Sequence, residues 1–156
     1  MKKVFILSMF IIGGFTDLNA QNFSKNAIGF RLGDNDGFGG EVSYQRGIST
    51  KNRIEVDLGW RNSKQVDAIK LAGTYQWVWN IDNGLNWYAG AGGGLGNWSS
   101  NGTNDAFLFV AGNIGIEYNF DFPLQLSLDV RPEIYLSDGV SDDFGPDLAL
   151  GIRYKF

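Results

Sequence analysis

Apolar and polar residues alternate along residues 124–136. The even positions run from Leu124 to Leu136 and are apolar, whereas odd positions include Asp129, Arg131 and Glu133. Successive side chains of a β-strand point to opposite faces, so this segment predicts a strand with one apolar and one charged face. At about 3.3 Å per residue, the segment is long for a soluble strand and suits a tilted strand that spans a membrane.

Seven further segments show the same alternation. They cover residues 28–32, 38–45, 53–61, 69–79, 85–95, 108–120 and 147–156. Helical periodicity of useful length is missing after residue 20, so we expect an all-β chain of eight antiparallel strands.

The connections between these segments predict two different ends. Residues 47–52, 82–84 and 121–123 are expected to form short turns, and Asn83-Gly84 is a strong hairpin signal. At the other end the connections are residues 33–37, 62–65, 97–105 and 137–146, of which the last two are longer and polar. Short turns at one end and longer loops at the other are typical of outer-membrane barrels.

The polar face of the segments carries charges of both signs. We expect these residues to form a charge network: Arg31, Glu41, Arg53, Glu55, Asp57, Arg61, Lys70, Glu117, Asp129, Arg131, Glu133, Arg153 and Lys155. Alternation alone fits a soluble barrel, with this face in water, as well as a membrane barrel, with this face inside. The interior of an eight-stranded barrel is barely wide enough for side chains, and the glycines of residues 90–96 would make room there for paired charges. We therefore expect a network that fills the lumen.

Aromatic residues occur on the apolar face, many of them towards the short-turn end. We expect these side chains to lie at the membrane interface: Trp60, Trp77, Trp79, Trp87, Tyr118 and Phe120. Trp and Tyr suit this position because an apolar ring and a polar tip are both satisfied there. The apolar face is thus predicted to contact lipid.

The first twenty residues predict a secretory signal peptide. Lys2-Lys3 is followed by the apolar run of residues 4–12 and a small residue at Ala20. The run is shorter than the about 20 residues that a membrane-spanning helix needs. We expect cleavage after Ala20, which leaves residues 21–156 as the barrel domain.

Composition removes several classes of chemistry. The chain has no Cys and no His, so it offers no disulfide, no thiolate and none of the usual histidine bases or zinc ligands. With 17 acidic and 13 basic residues it also lacks the basic balance of a nucleic-acid-binding protein. We expect no catalytic residue, no metal and no cofactor.

The last segment ends on an aromatic residue. Its apolar row consists of Leu148, Leu150, Ile152, Tyr154 and Phe156. This row resembles the C-terminal signature of outer-membrane β-barrels, which the barrel-assembly machinery recognises. With its eight segments, the chain resembles the small outer-membrane barrels of the OmpA and OmpX type. The resemblance implies an eight-stranded antiparallel up-and-down transmembrane β-barrel, surrounded by outer-membrane lipid in a Gram-negative bacterium.

The resemblance also implies a function. A charged, largely plugged lumen would leave an envelope-structural or surface-interaction role to the extracellular loops, with a surface partner that the sequence does not identify. Two alternatives remain open: a narrow porin or transporter for small or apolar solutes, and a soluble periplasmic barrel that binds a ligand. Members of this size that act on lipid A rely on a histidine, which this chain lacks, so we expect no enzyme.

The terminal row yields a first prediction. Deletion of Phe156 should lower membrane insertion far more than Lys155→Gln, because it removes the terminal aromatic residue of the proposed assembly signal. The amount of folded protein recovered from the membrane fraction measures the difference. Equal recovery of the two variants would contradict this interpretation of the last strand.

Overall fold

The computed structural model describes residues 24–33, 40–62, 66–100, 102–136 and 146–156. Their eight strands are β1 (Asn26–Gly33), β2 (Glu41–Gly47), β3 (Asn52–Asn62), β4 (Val66–Asp82), β5 (Leu85–Ser100), β6 (Thr103–Asn119), β7 (Leu124–Tyr135) and β8 (Pro146–Lys155). Each strand pairs antiparallel with the next, and β8 pairs with β1. The predicted all-β, eight-stranded up-and-down barrel is confirmed. Among these residues, no helix is long and apolar enough to cross a membrane.

The first and last strands close the barrel. Their register runs from Ala27 opposite Lys155 to Gly33 opposite Ala149. Beyond it, the backbone amides of Asn26 and Phe156 donate to each other's carbonyl oxygens, at 3.2 and 2.9 Å. Closure satisfies backbone groups that would otherwise form an exposed sheet edge.

The two faces of the barrel wall differ in polarity. In β6, Asn113 and Glu117 are buried, whereas the neighbouring Ile114 and Ile116 are each 49 % exposed. Because side chains alternate along a strand, the apolar row points outwards and the polar row points into the lumen. A soluble barrel would have the opposite arrangement.

One predicted connection is wrong. Residues 97–105 were expected to form a long polar loop, but β5 continues to Ser100 and β6 begins at Thr103, directly opposite. The polar residues at the ends of β5 and β6 do not end these strands, because the two strands remain paired there. Gly102 takes the positive φ of 84° that a tight turn needs. Most of the other connections at this end, residues 34–39, 63–65 and 137–145, lie outside the described residues, as does the predicted signal peptide.

The turns at the opposite end are short, as predicted. β4 ends at Asp82 and β5 begins at Leu85, with Gly84 at a φ of 78°. The backbone amide of Asn83 donates to the Asp82 carboxylate at 2.8 Å. Residues 48–51 and 120–123 connect the other two strand pairs.

The two positive-φ glycines allow a matched test. Gly84→Ala and Gly102→Ala both force a Cβ into the left-handed region, at a cost of about 1 to 2 kcal/mol. At Gly84 the new Cβ would also lie 2.6 Å from the Asn119 carbonyl oxygen, whereas at Gly102 nothing lies within 4 Å. Urea unfolding in detergent micelles should therefore show a larger loss of stability for Gly84→Ala. Equal losses would contradict the close approach of Gly84 to the Asn119 carbonyl oxygen.

Candidate functional site

The barrel interior is filled by buried ionisable side chains. Five cations and seven carboxylates on the described strands are at most 3 % exposed. The cations are Arg31, Arg53, Lys70, Arg131 and Arg153, and the carboxylates are Glu41, Glu55, Asp57, Glu117, Asp129, Glu133 and Asp147. Charges buried in this way are stable only when paired and hydrogen-bonded, so their contacts decide what the interior can do.

The larger group of charges lies towards the loop end, and we call it the loop-side network. It consists of Arg31, Glu41, Asp57, Lys70, Asp129, Arg131, Glu133 and Asp147. Arg131 is its central cation and lies 2.6 Å from Glu41. Its other guanidinium nitrogens lie 2.9 Å from Asp57 and 2.9 Å from Glu133. One planar guanidinium on β7 thereby connects β2, β3 and β7 across the lumen.

The other two cations of the loop-side network extend it to further strands. Arg31 on β1 donates from two nitrogens to Asp129, at 2.6 and 3.0 Å, and also pairs with Asp147 on β8. Lys70 on β4 lies 3.0 Å from Glu133 and 3.4 Å from Glu41. The network thus links six of the eight strands through side chains alone.

Two separate ion pairs occupy the turn side of the lumen. Arg153 lies 3.0 Å from Glu55 and also donates to two serine hydroxyls, at 2.9 and 2.8 Å. Arg53 lies 2.6 Å from Glu117, and its guanidinium carbon lies 4.7 Å from the centre of the Tyr88 ring. Each of these cations is matched by one carboxylate.

Side-chain amides complete the turn side. Asn86 and Asn119 donate to one oxygen of Glu117, at 3.2 and 3.1 Å, and Gln125 donates to the other at 3.2 Å. Together with Arg53, these amides surround a carboxylate that is 1 % exposed. The turn end of the lumen is therefore filled by a polar cluster around Glu117.

Aromatic rings cover the loop-side network, and we call them the aromatic cap: Trp98, Phe107, Phe109 and Tyr135. Phe107 and Phe109 are buried, and their ring centres lie 5.6 and 5.7 Å from that of Tyr135. Lys70 lies 5.7 Å from the Phe109 ring centre, and the Tyr135 hydroxyl donates to Glu133 at 2.9 Å. The cap therefore places apolar surface between the buried charges and the loop end.

Glycines of β5 make room for the cap. A Cβ at Gly94 would lie 2.5 Å from the Cζ atom of Phe109, and one at Gly96 would lie 2.3 Å from that of Phe107. Both contacts are too short for any side chain, so the rings occupy the space that the glycines leave. The glycine run of residues 90–96 thus allows large inward side chains on β6.

Eleven of the thirteen charged residues predicted for the network are buried inside the barrel. Arg61 belongs to β3, but its side chain lies outside the described residues. Lys155 is only partly buried at the turn end, where it donates to the Phe120 carbonyl oxygen at 2.7 Å. It is the last residue of β8, at the rim of the lumen, and none of the ion pairs between described residues includes it.

Sequence reasoning missed several inward residues. Asp147 joins the loop-side network, and Tyr88 donates to Asp129 at 3.3 Å. Phe107 and Phe109 share strand parity with Asn113 and Glu117, so alternation could have placed them inside. The predicted segment of residues 108–120 begins after Phe107, and the predicted network contains charged residues only, which excludes Phe109.

The six predicted interface aromatics lie on the outer wall. Trp60, Trp77 and Tyr118 are 54, 44 and 44 % exposed. Trp79 and Trp87 are half-buried because their rings stack, with centres 4.3 Å apart. Phe120 follows the end of β6, with its ring centre 4.8 Å from that of Tyr118. All but Trp60, which lies near the loop end, are close to the turn end.

Charged side chains mark the two ends of this outer wall. Arg46 faces outwards near the turn end of β2, and Asp67 faces outwards near the loop end of β4. Between them, the described strands carry no outward-facing charged side chain. The apolar row of β8 is part of this wall: Leu148, Leu150, Ile152, Tyr154 and Phe156 are 41 to 60 % exposed.

Solved structures share this architecture. Neither protein-family models nor curated protein sequences match the chain. The N-terminal β-barrel domain of Pseudomonas aeruginosa OprF superposes with a TM-score of 0.65 at 14 % identity, covering 88 % of this chain and 100 % of that one. Neisserial surface protein A gives 0.60 at 14 % identity, covering 84 and 94 %. Ail, the attachment invasion locus protein of Yersinia pestis, gives 0.53 at 19 % identity, covering 85 and 97 %.

These similarities concern the fold. The superpositions cover nearly the full length of the neighbours, and they show that the chain has the fold of small eight-stranded outer-membrane β-barrels. The sequence identities are only 14 to 19 %. The resemblance to the OmpA and OmpX type is thereby confirmed at the level of architecture. Function resides in particular sites, so the neighbours' roles do not transfer with the fold.

The position of Arg131 gives a prediction. Arg131→Met leaves Glu41, Asp57 and Glu133 without their shared partner, so the free energy of unfolding should fall by about 3 to 5 kcal/mol. Lys155→Met removes a partly buried cation at the rim and should cost about 1 kcal/mol or less. Urea unfolding in detergent micelles, followed by tryptophan fluorescence, measures both. A loss for Arg131→Met no larger than that for Lys155→Met would contradict a central role.

Proposed function

We propose that the protein is an integral outer-membrane barrel with a closed lumen, which acts through its extracellular loops in an envelope-structural or surface-interaction role. The observation that carries this proposal is the polarity of the wall. Leu71, Leu108 and Leu150 are 43 to 54 % exposed on the outside, while charged side chains fill the inside. Such a wall is stable when lipid covers it.

The height of the apolar wall supports a membrane position. On β4 the outward row runs from Ile69 to Ile81, about 40 Å along the strand at about 3.3 Å per residue. With a strand tilt of about 40°, this length corresponds to a height of about 30 Å, close to the apolar band of outer-membrane barrels. In a soluble barrel the same wall would be in contact with water, which disfavours the periplasmic alternative.

The contents of the lumen favour closure over transport. The loop-side network crosses the interior, and the aromatic cap covers it on the loop side. Glu117 and its amide partners fill the turn side. An ion or solute would have to displace several paired charges to pass, which opposes the porin alternative. The same closure separates the buried carboxylates from substrates, so we propose no enzymatic activity.

The composition of the loops guides the choice of partner. Residues 34–39 contain two Asp, and residues 137–145 contain three, without Lys or Arg in either segment. Ail has been solved with the heparin analogue sucrose octasulfate, a polyanion. The acidic loops of this chain do not suit a polyanion, and they fit a cationic or neutral polar surface partner better.

Biogenesis is part of the proposal. We propose that residues 1–20 direct export across the inner membrane and are removed after Ala20. The outward row that ends at Phe156 would then engage the barrel-assembly machinery. N-terminal sequencing of protein purified from the outer membrane should begin at Gln21, and a sequence beginning at Met1 would contradict the cleavage.

Conductance tests the closed lumen. Purified barrel in planar bilayers should show no steady openings, whereas the triple variant Phe107→Ser, Arg131→Ser, Glu117→Ser should conduct because it removes part of the cap, the central cation and the carboxylate at the centre of the turn-side cluster. The outward Val110→Ser variant is the matched control and should remain closed. Steady openings of the unmodified protein would contradict closure and favour the transport alternative.

A further inference from the structure

The loop-side network contains more carboxylates than cations. Its ion pairs connect three cations with five carboxylates, whereas the turn side has two of each. Arg61 belongs to β3, and its side chain lies outside the described residues. Counting Arg61 as a fourth cation still leaves one carboxylate in excess.

An unmatched charge is unfavourable at this depth. All five carboxylates are at most 3 % exposed, and lipid would surround the wall outside them. Transfer of an unpaired carboxylate from water to such a site costs so much free energy that the group binds a proton instead. At least one of the five is therefore expected to be neutral.

Asp57 has the weakest set of partners among them. One of its oxygens lies 2.9 Å from Arg131, and the other has no hydrogen-bond partner among the described residues. Glu41, in contrast, contacts all three cations of the network. Asp129 receives two bonds from Arg31, and Glu133 is bound by Lys70, Arg131 and Tyr135. Asp147 also has one oxygen without a hydrogen-bond partner among the described residues, but its other oxygen pairs with both Arg31 and Arg131.

Among the described residues, the groups around Asp57 do not supply a second cation contact. Glu41 on β2 and Glu55 on β3 add negative charge near it, whereas Arg153 on β8 is paired with Glu55. On β4, the residue opposite Asp57 is Ala72, and Lys70 forms its ion pairs with Glu133 and Glu41. Arg131 on β7 is shared with Glu41, Glu133 and Asp147.

We propose that Asp57 binds a proton at neutral pH, which makes the loop-side network a buried proton-binding site. A metal ion is the less suitable ligand, because the described residues contain no group of three or more carboxylates placed to hold one. When Asp57 is neutral, the positive charge of Arg131 is available to balance Glu41 and Glu133. This inference depends on the closed interior of the proposed function and not on the role of the loops.

Infrared spectroscopy of the folded barrel in detergent micelles tests the proposal directly. A protonated carboxyl group has a carbonyl stretch above the amide I band, in a region free of ionised carboxylates. Unmodified protein in neutral D₂O should show this band, and Asp57→Asn should lose it. Absence of the band from the folded, unmodified protein would overturn the proposal.

Glu117→Gln is the matched control, since it also replaces a buried carboxylate of the lumen by an amide but lies outside the loop-side network. It should keep the band and lower the urea midpoint, because it removes the partner of Arg53. Asp57→Asn should leave the midpoint nearly unchanged at neutral pH, because it replaces one neutral group by another. Persistence of the band in Asp57→Asn would contradict the assignment to this residue. Heat-modifiable migration verifies that each variant is folded, and conductance separately reports whether the lumen is closed.

The absence of histidine and cysteine provides a second readout. No side chain of ordinary pKa titrates in this chain between about pH 6 and about pH 8. Proton release on urea unfolding within this range, measured with an indicator dye, should be present for the unmodified protein and smaller for Asp57→Asn. Equal release by both proteins would also contradict the assignment.

Discussion

The pairing of Arg131 with carboxylates from neighbouring strands is the interaction on which the rest of the interior depends. An eight-stranded barrel has room inside for side chains and little else. Charges placed there must find partners across the lumen, because water does not reach them. The guanidinium of Arg131 contacts Glu41, Asp57 and Glu133 at once, and thereby fixes three strands relative to one another.

The outer wall follows from the same arrangement. Once the polar row of each strand is inside, alternation forces the apolar row outwards, where Leu71 and Leu150 are 43 and 46 % exposed. Lipid is the solvent that makes both faces favourable. Because the interior is closed, we propose that the protein acts through its loops at one end of the barrel.

Much of this architecture could be predicted from a period of two along the chain. The period identifies the strands, and Asn83-Gly84 identifies a turn. It does not specify which cation pairs with which carboxylate, because Arg31 and Asp129 are 98 positions apart and meet only across the closed barrel. The aromatic cap could not be predicted in this way, since Phe107 is an aromatic residue in an otherwise polar row. The predicted β5 is also too short, because the polar residues near its end still pair with β6.

The central claim is that the apolar wall contacts lipid while the residues of the lumen do not. Two single-tryptophan proteins test it most directly: one retains the outward Trp77 and the other retains the inward Trp98. In bilayers with brominated acyl chains, fluorescence of Trp77 should be strongly quenched and that of Trp98 should change little. Equal quenching, or stronger quenching of Trp98, would contradict the account.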